Sequence, residues 1–131
     1  MTAELDYAYL AEFAKAESGR LTAINASFTE VATTKFPTHM SVGVAGRVRR
    51  VEGDPDPQME IQIRTPNQVS DLRLSFQLSS EQDAVTYDGK VANVFAVNGP
   101  IVLESAGLVE VIIFINDEQV RRLAFEVLAQ N

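Results

Sequence analysis

Residues 5–31 read LDYAYLAEFAKAESGRLTAINASFTEV, and the fold class turns on their conformation. Leu5, Ala8, Tyr9, Phe13 and Ala16 recur at helical spacing with Glu12 as the one polar interruption, and the alanines favour a helix. Leu5, Tyr7, Tyr9, Ala11 and Phe13 also alternate with Glu4, Asp6, Ala8, Leu10 and Glu12, as one arm of a β-hairpin would. Periodicity does not separate the two. The paired tyrosines lean toward strand. Glu17-Ser18-Gly19-Arg20 leans further, as a tight turn joining LDYAYLAEFAK to a second arm over 21–31.

Downstream of that turn the pattern is β. Met40, Val42, Val44 and Val48 alternate with Ser41, Gly43, Ala45, Arg47 and Arg49. Glu52-Gly53-Asp54-Pro55-Asp56-Pro57 is a turn by its chemistry. Met59, Ile61 and Ile63 form the next alternating run, and Leu72, Leu74, Phe76 and Leu78 the clearest one. A polar stretch over 79–90 precedes two short apolar runs, 91–97 and 101–103, parted by Asn98-Gly99-Pro100. Residues 108–115 and 120–128 flank Asn116-Asp117-Glu118-Gln119 as a hairpin. The expectation is one all-β domain over 1–131, with seven to nine short strands in a sandwich or barrel.

Composition narrows the function classes. A chain of 131 residues buries about two-thirds of its unfolded surface and needs no staple. It has no cysteine, which removes thiol catalysis, disulfides and Cys-based metal sites, and fits a reducing compartment. Eighteen acidic against eleven basic residues give a net charge of −7, which argues against nucleic acid or an anionic membrane as partner. The N-terminal residues carry acids where a secretory signal needs bases, and no run approaches a membrane span. The expected location is cytoplasmic.

No Gly-rich phosphate loop, nucleophile elbow or paired zinc histidines occur, and His39 is the single histidine. His39 reads as a loop or strand-edge residue. Glu52, Asp54 and Asp56 bunch carboxylates within one turn, yet lack the further ligands of a calcium loop; a solvated acidic turn is the simpler reading, as for Asp83 and Asp88. The expectation is therefore a protein without enzymatic activity or cofactor.

Two binding features stand out. Arg47, Arg49, Arg64 and Arg73 lie on the polar faces of three successive strands. Were these strands neighbours, the arginines would form a ladder across one sheet, either a salt-bridge lattice or a patch for a carboxylate or phosphate. The run 108–115 is apolar on both faces, since Leu108, Ile112 and Phe114 alternate with Val109, Val111, Ile113 and Ile115. Such a strand needs extra cover, either from the 79–90 stretch or from a second subunit, which makes Val109, Val111, Ile113 and Ile115 candidate interface residues in a homodimer.

Asp6-Tyr7-Ala8, Gly19-Arg20-Leu21-Thr22-Ala23-Ile24, Phe28 and Phe36-Pro37 resemble the opening of a bacterial family of small all-β proteins of unknown function. The Thr65-Pro66-Asn67 turn and Gly107 before the penultimate strand are similar to later features of that family. Asn25 and Gln68 depart from it where a glycine would stand. The resemblance implies an antiparallel immunoglobulin-like β-sandwich and a strand for the first segment, and it implies no activity. The function expected is a non-enzymatic binding or protein-interaction module. The alternative is a small-ligand or carbohydrate-binding sandwich using Tyr7, Tyr9 and Tyr87; an enzyme built from scattered carboxylates ranks below both.

Overall fold

The opening segment is extended throughout, but it forms two strands instead of one hairpin arm. In the computed structural model, which describes residues 3–68 and 71–130, β1 is Glu4–Ala11 and β2 is Phe13–Glu17. The hairpin at Ser18-Gly19 joins only β2 to β3, Arg20–Ile24, while β1 pairs elsewhere. The chain continues through β4, Glu30–Thr33; β5, Thr38–Val51; β6, Gln58–Arg64; and β7, Leu72–Gln77. It ends with β8, Ala84–Tyr87; β9, Lys90–Leu103; β10, Gly107–Ile115; and β11, Glu118–Ala129. Among the described residues there are eleven strands, more than the seven to nine expected, because the first segment and 21–31 each split in two and 79–90 yields β8, while 91–97 and 101–103 merge.

Two sheets face each other, ordered β1-β5-β9-β8 and β4-β11-β10-β6-β7. This is the immunoglobulin arrangement, a four-stranded sheet packed on one built around the β6, β10 and β11 strands. Among the described residues all ladders are antiparallel except the parallel pairing of β4 with β11. β1 closes one edge of the first sheet, and β4, after the β2–β3 hairpin, closes an edge of the second. Inward residues Val42, Val44, Val48, Phe95 and Ile101 of one sheet meet Met59, Ile61, Ile113 and Phe125 of the other. Their alternation with polar residues sets the register.

Three two-residue hairpins hold the ladders in step. Ser18-Gly19, Asp88-Gly89 and Asn116-Asp117 each place both central residues at positive φ, between 50° and 75°. That is the turn whose twist matches the flanking strands. The short runs 91–97 and 101–103 prove to be one strand, since Asn98-Gly99-Pro100 stay in the ladder opposite Val42 and its neighbours.

The β2–β3 hairpin lies across the outer face of the first sheet. The alanines that gave the segment its helical look make this possible, because small side chains let two backbones approach. Ala11, Ala14 and Ala45 are buried together, ringed by Tyr9, Leu21, Ala23 and Ala96. A Cβ at Gly43 would stand 2.6 Å from Asn98 Oδ1 and 3.2 Å from the Ala14 nitrogen, so glycine is required there. At the hairpin tip Gly19 abuts Val85 of β8, where its φ of +75° also favours glycine.

Candidate functional site

The four arginines do not form one ladder. β5 and β6 belong to different sheets, so Arg47 and Arg49 lie on one outer face while Arg64 and Arg73 lie on the opposite one. On the first face the ladder is self-contained. Between Leu5 and Tyr7 β1 carries an extra residue while β5 advances only from Val48 to Arg47. This bulge puts both Asp6 and Tyr7 against Arg47. Arg47 Nε donates to Asp6 Oδ2 at 2.8 Å, with its Nη2 on the same oxygen, and its guanidinium sits 5.1 Å from the Tyr7 ring and 5.8 Å from the Tyr87 ring. Arg49 donates to Glu4 at 2.7 Å and to the Tyr87 hydroxyl at 3.3 Å.

The electrostatics follow from this pairing. The Arg47 hydrogen bond holds the Asp6 carboxyl below the usual range against the opposing effect of burial. The same bond raises Arg47, and the Tyr87 and Glu4 contacts raise Arg49. Tyr7 and Tyr9 stack at 6.4 Å, and burial pushes the Tyr9 hydroxyl up. The three tyrosines expected to form a sugar platform are thus gathered on one face, but Arg47 takes a face of two of them. With Glu4 and Asp6 neutralising both arginines, this face is closer to a cation–π lattice than to an anion receptor.

On the opposite face Arg73 lies 3.6 Å from Glu60, and Arg64 donates to Gln62 at 3.2 Å. Gln62 in turn donates to Glu60 at 2.6 Å. These two arginines are brought together with Asp71 around a shallow polar depression.

Arg50 was not singled out as a site, yet it is buried at 2% exposure on the apolar face of β5. It donates to Asp56 at 2.7 Å and to Asn93 at 2.8 Å, and Asn93 donates to the carbonyls of Ser79 and Gln82. One acid of the acidic turn therefore neutralises a buried cation. The 79–90 stretch is fixed against β9 by Asn93 and by the Val94 amide on the Asp83 carbonyl, so it does not cover β10.

The interface expectation for β10 fails for a simple reason. Val109, Val111, Ile113 and Ile115 point into the sandwich and are 0–4% exposed. On the other face Ile112 is equally hidden, lying in register between Gln62 and Arg122, whose side chains run to Glu60 and Glu110. Long polar side chains of the neighbouring strands cover it through their aliphatic stems.

An open apolar patch with a cavity beneath it lies between β1 of the first sheet and β4 of the second. Phe13 and Ile24, paired across the base of the β2–β3 hairpin, are 44% and 52% exposed. They form the mouth of a cleft of about 520 Å³ whose floor is Phe28, Val31 and Met40, all of which back onto the main core. Glu12 and Glu30 stand at its rim, exposed, and neither enters an ion pair formed among the described residues. Sequence reading assigned 21–31 to a regular strand and so missed it. The available signal was the crowding of Ile24, Phe28 and Val31 without strict alternation.

The sequence model of a family described as "Family of unknown function (DUF6941)" matches residues 6–128, so the chain belongs to that family. No curated protein matches the sequence. Among solved structures the chain is similar to the alkylpurine DNA glycosylase AlkC of Pseudomonas fluorescens, bound to DNA containing an abasic site analog, with a TM-score of 0.53 at 8% identity. That match covers 98% of this chain and 31% of the glycosylase, so the likeness is to a part of it and concerns the fold alone. An immunoglobulin-like protein of Pseudomonas aeruginosa matches over 97% of each chain, at 18% identity and a TM-score of 0.43.

Proposed function

We propose that this member of the DUF6941 family is a non-enzymatic protein-interaction module that receives an apolar segment of a partner protein in the cleft between β3, β4 and β5. The observation that carries the reading is the pair Phe13 and Ile24, large apolar side chains held open at the mouth of an apolar cavity instead of closing over it. Its size lies within the range of cavities that hold ligands. Aromatic and aliphatic anchors in a concave site are the residues that carry binding energy at interfaces. The reading assigns no cofactor and a cytoplasmic setting, and the net charge of −7 supports neither nucleic acid nor an anionic membrane as the partner.

A photo-crosslinking side chain at Ile24, compared with one at Arg73 on the far outer face, tests this in the full chain. The expected result is a discrete protein adduct at position 24 alone, identified by mass spectrometry. The purified partner then binds the wild type, and Ile24→Lys weakens that binding about tenfold. Adducts of equal yield at both positions, or no adduct at 24, overturn the reading. A small apolar molecule that raises the unfolding midpoint only when Ile24 is intact would establish the small-ligand alternative at the same cleft.

A further inference from the structure

We infer that the partner segment enters the cleft as an extended β-strand, adding to the first sheet along β5 antiparallel to it, with Lys or Arg flanking its apolar residues. The inference rests on the cleft being the binding site and goes beyond it to the mode of binding and the chemistry of the partner.

β5 is fourteen residues long, but β1 covers only part of one edge. The β1–β5 ladder ends at Ala11 opposite Gly43, whereas β9 accompanies β5 all the way to Thr38. Among the described residues no strand pairs with residues 38–42 on the side that β1 vacates. The chain leaves at Glu12 for the β2–β3 hairpin and does not return to that edge.

The direction of the free backbone groups follows from the ladders. The Val94 amide donates to Asp83 on the β8 side, so the even residues of β9 face β8 and the odd ones face β5. Odd residues of β9 stand opposite even residues of β5, for example Ile101 opposite Met40. The odd residues of β5 therefore face β1, and below Gly43 these are His39 and Ser41. An independent bond agrees: the Ser27 amide donates to the Leu10 carbonyl, which places even residues of β1 on its outer side and odd ones toward β5.

An edge of this kind is a template for strand addition. Here it borders the cleft directly, since Met40 and Ser41 line it. An added strand would bond the N–H and C=O of His39 and Ser41 and, by its alternation, send every second side chain onto Phe28, Val31 and Met40. The remaining side chains would face outward beside Phe13 and Ile24. Glu12 and Glu30 at the two sides of the rim select cationic flanks and disfavour acidic ones.

The probe is a displayed library of extended peptides about ten residues long, apolar at alternate positions, with flanks of Lys, Glu or Ser. Enrichment of Lys-flanked sequences is expected. The best peptide should lose about tenfold in affinity when its backbone is N-methylated at the positions facing β5, and Ser41→Pro should cost a similar factor. Proline at an edge position whose N–H has no ladder partner leaves the fold intact, which circular dichroism checks. Hydrogen exchange should slow at His39 and Ser41 on binding. No enriched peptide, or binding that is indifferent to N-methylation, overturns strand addition. Indifference to N-methylation combined with loss on Ile24→Lys would overturn it while leaving the cleft as the binding site.

Discussion

Asn98 holds Ala14 as a neighbouring strand would. Its Oδ1 accepts from the Ala14 amide at 2.9 Å, and its Nδ2 donates to the Ala14 carbonyl at 2.7 Å. One side chain thereby satisfies both backbone groups of a residue that is fully buried on the outer face of the sheet. The hairpin that frames the cleft is fixed at this point.

Asn98→Ala should leave both groups of Ala14 unpaired and cost roughly 1–3 kcal/mol. Amide exchange should rise across β2 and β3 and stay unchanged in β10. Equal loss of protection in both regions would show that the hairpin is not an independent unit.

Arg50 is paired on two sides and almost wholly buried, so its charge has no recourse to water. Arg50→Ala abandons the Asp56 carboxylate and the Asn93 amide at once, and should cost about 3–5 kcal/mol in urea unfolding. Arg50→Met, which keeps the volume, should cost less. Equal costs would mean that polarity, not packing, governs the site.

The interior and exterior of β10 should respond differently to truncation. Ile113→Ala removes a fully buried side chain and should cost about 2–5 kcal/mol. Leu108→Ser, at a position 45% exposed, should change stability by no more than about 0.5 kcal/mol.

Asp6 gives stability a defined pH dependence. Its carboxyl, hydrogen-bonded to Arg47, titrates below the ordinary value of 3.8 in the folded chain. The bond therefore contributes fully above that value and is lost as pH falls through the lowered one. Asp6→Asn should be less stable than the wild type near neutral pH by no more than about 1 kcal/mol, since the pair is partly exposed. The gap should narrow as pH falls below 3.8 and through the lowered value. A gap that is constant with pH would assign the effect to packing.

Much of the architecture was legible because alternation is a local property. Met59, Ile61 and Ile63 need only a pleat and one buried face to declare themselves, whereas Leu72 and Leu74 alternate as cleanly on the edge strand β7 and stay exposed. The strand reading of the first segment held, while its pairing did not, because nothing local distinguishes a partner twenty residues away from one forty away. The arginine ladder failed for the same reason: β5 and β6 are successive in sequence but lie in different sheets. Val109, Val111, Ile113 and Ile115 were offered as an interface because covering by Arg122 and Gln62 stems is invisible until strands are placed side by side. The cleft was illegible because it is made by what is missing, a ladder that stops at Gly43 while its strand goes on.

The parallel pairing of β4 with β11 has a consequence for how the chain is made. Val31 lies beside Val127, so an early strand finds its partner only after nearly all the intervening sequence has been synthesised. Until then Phe28 and Val31 have no Phe125 or β11 backbone to settle on. Pairing across such a separation is slow and leaves apolar segments uncovered in the interval. The β2–β3 ladder is local, yet it too waits for later sequence, since Asn98 of β9 holds Ala14 and Ala45 of β5 packs against it.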